Sequence, residues 1–259
     1  MTSLSELYFG DHISNAIPVP QLLPFTHVCD AFTFRNIFHD HAIKPRHCEV
    51  FDKELVYFFY GKPAFKVSND TNSSQMMALN PVCFVIDAEK VTGICAIYPF
   101  DSGAFKNGLF TNYVHKKSKI DDFAIKPNLD SLKKFIGYFY HSNTSYYDGV
   151  VKLTNSEVPS MSYEIEFIHS IFSAQRPEKF DERCQVVEVQ SSNEIRFENQ
   201  YVKAIVVPGT LMDNPRLASF ILSNDIDYIT YDVGRATPQQ LSGVISEKVK
   251  TFYETKGFI

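Results

Sequence analysis

Apolar residues in this chain gather in runs too short for ordinary helices, and stretches with helical spacing separate those runs. The densest run is Leu55-Val56-Tyr57-Phe58-Phe59-Tyr60, followed by Gly61-Lys62-Pro63-Ala64-Phe65. It predicts a buried strand delivered into a tight turn. Strands are also predicted over 22–27, 81–88, 93–98, 184–190, 201–207 and 227–232. Helical spacing covers 28–39, through Val28, Ala31, Phe32, Phe34, Ile37 and Phe38, and 129–139, which follows the start signal Pro127-Asn128. It returns over 162–174, 214–222 and 238–255, the last with Leu241, Val244, Ile245, Val249 and Phe252 on one stripe.

The remainder reads as connections. Residues 1–23, with Pro18-Val19-Pro20, predict an extended lead-in. Polar loops are expected over 67–76, 141–149 and 175–182, and Asp101-Ser102-Gly103 with Asn107-Gly108 imposes turns over 100–108. Strands alternate irregularly with helices instead of keeping a strict βαβ rhythm, which predicts an α+β fold with mainly antiparallel sheet. No repeat or linker divides the chain, so a single domain over 1–259 is expected.

Composition sharpens this reading in three respects. An aromatic share of 14%, from 23 Phe and 14 Tyr with no Trp, favours a sheet-rich or mixed fold over a helical bundle. A net charge of -5 does not mark the whole molecule as a binder of nucleic acid or membrane. Five cysteines lack CxxC spacing and sit mostly in apolar runs, so they read as small hydrophobes in a reducing, cytoplasmic compartment. No signal peptide or membrane-spanning run is seen, and no membrane partner is expected.

Candidate chemistry is sparse. His39-Asp40-His41 and His47-Cys48 match no recurrent metal-site spacing, and a helix end leading through a proline loop accounts for them without a metal. Glu188 lies within Val186-Val187-Glu188-Val189-Gln190, so its carboxylate should emerge from an apolar surface, where it persists only if paired, hydrogen-bonded or functional. Glu182 competes with it. Six residues along one strand would separate the two carboxylates by about 20 Å. His27, at a strand-to-helix junction, can be held by local backbone and donate to a ligand hydroxyl, while Tyr57 and Tyr60 are either core or ligand platforms.

In order, Thr26-His27 before a helix, an aromatic strand ending Tyr60-Gly61-Lys62-Pro63, and a late strand with Glu188 resemble the ADP-ribosyltransferase superfamily. The similarity is to the branch of poly-ADP-ribose polymerases and DNA-targeting ADP-ribosyltransferase toxins, and it spans the order of elements from Phe25 to Val207. It implies a split antiparallel β-sandwich with surrounding helices, a single ADP-ribosyltransferase-like domain, and NAD as substrate without a metal. By the same resemblance Glu188, His27 and Tyr60 are catalytic, and Thr26, His27, Tyr57, Tyr60 and Lys62 bind NAD. Lys62 would lie near the phosphates. The implied activity is intracellular mono-ADP-ribosylation of a nucleic acid or protein by a bacterial toxin or phage-defence effector, with a cognate antitoxin as a further partner. Glu188 lacks Gln or Glu two residues before it, which departs from arginine-directed members. Two other readings stand beside this one: a non-catalytic protein-binding or toxin-neutralising module using loops 67–76 and 141–149, and a hydrolase built on Ser102, which lacks the GxSxG context.

Overall fold

The computed structural model describes residues 8–64, 76–174 and 182–259. Two compact units are present, one comprising Met1–Leu22, Ile94–Gln190 and Phe258–Ile259, the other Leu23–Gly93 and Ser191–Gly257. Most of loop 67–76 and nearly all of 175–182 lie outside the described residues.

The second unit is built on a sheet whose central strand is β1 (Phe25–Asp30). On one side β1 pairs antiparallel with β4 (Lys53–Tyr60), which also pairs antiparallel with β3 (Arg46–Cys48). On the other side it pairs antiparallel with β5 (Pro81–Ile86), which pairs antiparallel with β9 (Val202–Pro208). The sheet ends in β10 (Asp227–Tyr231), parallel to β9. Every residue of β5 is buried, because α8 (Pro238–Lys256) packs on β5, β9 and β10 and α2 (Ala31–Asp40) packs on β1 and β5. A strand covered on both faces needs a continuous apolar run, and Pro81-Val82-Cys83-Phe84-Val85-Ile86 supplies one. A short antiparallel pair joins β2 (Ala42–Ile43) to β8 (Ile195–Arg196). The expected mixed α+β architecture with mostly antiparallel sheet is what the strands form.

Two boundaries shift from expectation for a local reason. The first strand was expected to end at His27 and the helix to begin at Val28, whereas β1 continues to Asp30. Asp30 caps α2, its carboxylate accepting the Thr33 N–H at 2.7 Å. A cap residue must keep extended backbone, here φ -77 and ψ 162, so the strand runs up to the cap. After Tyr60 the chain turns at Gly61, whose φ of +64 suits glycine and whose N–H donates to the Pro24 carbonyl at 3.0 Å.

In the first unit, the stretch read as an extended lead-in contains α1 (Phe9–Ser14), with Phe9 and Ile13 buried and α1 packed on α4 (Leu129–Tyr140). Gly137 of α4 lets the chain pass: a Cβ there would collide with the Ile17 carbonyl. The turn-rich segment 100–108 holds α3 (Ser102–Lys106), and the polar loop 141–149 holds α5 (Asn143–Tyr147), whose Tyr146 is buried with its hydroxyl accepting the Val187 N–H at 3.1 Å. Phe105 of α3 and Phe167 of α6 (Tyr163–Ser173) join Phe100, Phe110 and Phe123 in a phenylalanine cluster, with ring centroids as close as 4.9 Å. β6 (Ile94–Tyr98) neighbours β7 (Glu188–Ser191). The strand expected from Cys184 therefore begins only at Glu188, because 182–185 form a 3-10 turn. Cys29 and Cys83 are buried as expected, whereas Cys95 is exposed and Cys48 and Cys184 are half-buried. Among the described residues no helix is long and apolar enough to cross a membrane.

Phe58 is fully buried and its ring stacks on Phe25 at 5.9 Å, while Phe59 is half-buried. Phe58→Ala is expected to cost about 3 to 5 kcal/mol in urea unfolding, and Phe59→Ala clearly less. Equal losses would contradict the alternation of β4.

Candidate functional site

The strands β1 and β4 pair only through Phe25↔Tyr60 and Thr26↔Phe59, whereas β1 stays paired with β5 along its whole length, to Asp30↔Pro81. Beyond Thr26 the two strands diverge. The opening between them is a cleft of about 650 Å³, lined by His27 to Asp30 on β1, by Leu55, Val56 and Tyr57 on β4, and by parts of α2, β2 and β3. This volume lies within the ~300–1,000 Å³ of small-molecule sites.

His27 meets the β4 backbone here, its Nδ1 lying 2.8 Å from the Tyr57 carbonyl oxygen. A carbonyl only accepts, so Nδ1 carries the proton in this bond. Burial lowers the His27 pKa, the Tyr57 carbonyl partly offsets this, and the Arg46 charge lowers it further. The imidazole is therefore neutral near pH 7, with Nε2 as an acceptor. An acceptor Nε2 differs from the donor role expected for His27.

Tyr57 is half-buried at the cleft wall, and its hydroxyl donates to the Cys48 sulfur across the β3–β4 hairpin. Tyr60 is different. Its side chain is 0% exposed, its hydroxyl accepts the Leu23 N–H at 3.0 Å, and its ring meets Phe25 edge-on. A ring with no open face cannot stack on nicotinamide, so of the two expected platforms only Tyr57 can serve. Thr26 is likewise buried, donating through Oγ1 to the Lys62 carbonyl at 3.0 Å and the Phe59 carbonyl at 3.3 Å, which makes it a clasp between strand and turn and not an NAD ligand. Lys62 is half-buried and does not line the cleft. The cations that do line it are Lys44 and Arg46. Sequence reading missed them because Lys44-Pro45-Arg46 looked like a loop, and nothing in so short a stretch signals β3 pairing with β4.

Glu188 belongs to the first unit and has a complete local environment there. Its side chain is 2% exposed. Oε1 accepts from Ser102 Oγ at 2.7 Å and from Gln190 Nε2 at 2.7 Å, and Oε2 accepts the Ser102 N–H at 3.0 Å. Strand geometry places Gln190 two residues on, on the same face. Ser102 arrives from the first turn of α3, which Asp101 caps by accepting the Ala104 N–H at 2.6 Å. Asp101 also approaches Arg183 at 4.0 Å. Burial, and then the Asp101 charge, raise the Glu188 pKa to about 7 against the opposing hydrogen bonds from Gln190 and Ser102. The adjacent Tyr98 phenol is pushed up to about 12 by burial and by the Asp121 and Glu188 carboxylates. Ser102 is itself buried, with its hydroxyl donating to Glu188.

Glu182 lies in the 3-10 turn, so the comparison of two carboxylates along one strand does not apply, and its side chain lies outside the described residues. The expected site residues thus fall into two groups, with His27 and Tyr57 on the cleft of one unit and Glu188 in the other. Among the described residues no group of three or more His, Cys, Asp or Glu is arranged to hold a metal ion.

A raised carboxyl pKa means the native state binds more protons than the unfolded chain between the unfolded value, ~4.3, and the native one. The stability contribution of Glu188 is full below that window and is lost as pH rises through about 7. Urea midpoints of Glu188→Gln against wild type should therefore differ in slope between about pH 4.5 and 7.5, the variant losing less as pH rises. Parallel profiles would show that Glu188 titrates normally.

No protein-family model matches the chain, and no curated protein matches it. Among solved structures it is similar to DarT from Thermus sp. 2.9 in complex with NAD+, at 9% identity and TM-score 0.42, covering 82% of this chain and 97% of that one. It is also similar to the same protein in complex with carba-NAD+, at 10% identity and TM-score 0.42, covering 83% and 98%. Superpositions of this quality assign neither a family nor a ligand.

Proposed function

We propose that the chain, as one domain over 1–259, is an NAD-dependent mono-ADP-ribosyltransferase that takes NAD in the cleft between β1 and β4. The observation that carries this reading is the 2.8 Å bond from His27 Nδ1 to the Tyr57 carbonyl. It ties two of the five expected nucleotide-contacting residues to one cleft and leaves Nε2 as an acceptor for a ribose hydroxyl. Tyr57 offers a ring wall for nicotinamide, and Arg46 supplies positive charge suited to a pyrophosphate, Lys44 being paired with Asp40 at 2.9 Å.

The chemistry asked of the site is modest. The C1′–N bond to nicotinamide breaks, neutral nicotinamide leaves, and a bond forms between C1′ and the acceptor atom as the acceptor gives up its proton. Positive charge grows on the ribose ring in between, and a carboxylate stabilises it most where water is excluded. By the resemblance, Glu188 in its ionised form is the carboxylate proposed for that work. The acceptor proposed is a nucleic acid or a protein, and the setting a cytoplasmic toxin or defence effector with a cognate antitoxin.

A second reading is favoured by one observation: with three donors, Glu188 is also a well-satisfied structural carboxylate joining β7 to α3. The chain would then be a non-catalytic protein-binding or toxin-neutralising module. Incubating the protein with labelled NAD and separate pools of DNA, RNA and protein separates the two. Transfer to one pool, abolished in a folded Glu188→Gln variant, is the expected result, and no turnover of NAD with any pool favours the module.

Tyr57→Ala is expected to raise the KM for NAD by roughly tenfold or more while the fold persists, as an exposed-face aromatic contributes mainly to ligand contact. Tyr60→Ala is expected to destabilise the protein by several kcal/mol, about that of other buried aromatics. Measured together by turnover and thermal unfolding, the reverse pattern would return the stacking role to Tyr60. Because Glu188 acts ionised, kcat should rise with pH through about 7.

A further inference from the structure

Tyr57, the half-buried aromatic at the cleft wall, is held at both ends. Its carbonyl accepts from His27 Nδ1 on β1, and its hydroxyl donates to the Cys48 sulfur at the end of β3. Cys48 is a firm anchor. Its carbonyl accepts the Asp52 N–H at 2.8 Å and its register partner is Lys53, so the turn of the hairpin fixes its backbone. Tyr57 itself falls between two registers, β3 pairing with β4 as far as Arg46↔Leu55 and β1 through Thr26↔Phe59 and Phe25↔Tyr60. The cleft is lined by Tyr57 and by Arg46 and His47 of β3, but not by Cys48. The phenol oxygen is therefore drawn toward a group outside the lining, which leaves the ring, and not the hydroxyl, for a ligand in the cleft.

From this arrangement we propose that Cys48 is a positioning residue, which holds the Tyr57 phenol out of the cleft so that the ring face meets the nicotinamide. The proposal rests on the reading of the cleft as an NAD site. His27, Cys48 and Tyr57 all belong to one compact unit. A half-exposed aromatic that is free to change rotamer must be ordered when a ligand arrives, and that ordering weakens binding; a ring ordered beforehand escapes the loss. Thiol sulfur is a weak acceptor, so the effect of the tie is modest.

Cys48→Ala is expected to weaken NAD binding, measured by calorimetry, about threefold to tenfold, with kcat moved by less than about twofold. Cys48→Ser, which keeps an acceptor, should recover most of the affinity. Tyr57→Phe keeps the ring and removes the tie from the other side, so it should weaken binding to the same extent, and it serves if Cys48→Ala does not fold. The two substitutions together should bind NAD no more weakly than either alone, because both remove one bond. In protein carrying ring-labelled tyrosine, the Tyr57 NMR signal is assigned by its loss in Tyr57→Phe. It should shift in Cys48→Ala before NAD is added, which reads the tie without a ligand. Losses that add in the double variant, an unmoved affinity in both single variants, or an unmoved Tyr57 signal in folded Cys48→Ala overturns the proposal. No binding of NAD by the wild type overturns the reading beneath it, and a Tyr57 signal that still shifts in Cys48→Ala distinguishes that failure from the absence of the tie.

Discussion

The second unit depends on the early divergence of β1 from β4. The central strand is paired over six residues with β5 but over only two with β4. Where that pairing stops, side chains of β1 can reach backbone groups of β4, and a buried carbonyl gains from such a donor because leaving it unpaired would cost free energy comparable to a lost hydrogen bond. His27 satisfies the Tyr57 carbonyl, Asp30 turns the strand into α2, and the space between strands stays open as a cleft. One break in the ladder thus fixes the imidazole tautomer and creates the cavity beside it.

The first unit answers a different constraint, the cost of keeping a carboxylate out of water. Three donors from two elements hold Glu188, yet Asp101 stands close enough to counter part of their effect, and the result is a carboxyl poised near neutrality. Groups with such displaced pKa values concentrate at functional sites, although structural networks also produce them. The phenylalanine cluster beside α3 makes the position rigid, because five packed rings leave the start of that helix little freedom.

Much of the fold was legible in the sequence because long periodic segments dominate it: the predicted helices over 129–139, 162–174, 214–222 and 238–255 each meet an observed one within a residue or two. The errors have identifiable physical sources. Asp30 capped a helix three residues later than the apolar spacing indicated. The Cys184 run looked like one strand because valines dominate it, whereas the 3-10 turn at 182–185 carries Arg183 toward Asp101. In the site, the burial of Glu188 between valines was readable, but its partner Ser102 lies 86 residues away and no local pattern announced the bond. Tyr57 and Tyr60 were indistinguishable by composition, and the burial of Tyr60, with its hydroxyl accepting the Leu23 N–H, distinguishes them. Arg46 was overlooked because a three-residue strand gives no periodicity to read.

The central claim is that the opening between β1 and β4 holds NAD against a neutral His27. Nitrogen-15 NMR of the imidazoles in labelled protein tests it most directly, since protonated and bare ring nitrogens resonate far apart and His27 can be assigned by substitution. The account predicts a protonated Nδ1 and bare Nε2 for His27 near pH 7, with the Nε2 resonance moving toward the hydrogen-bonded range as NAD is added. A His27 spectrum unchanged at NAD concentrations that saturate binding, or a bare Nδ1 in the free protein, would contradict it.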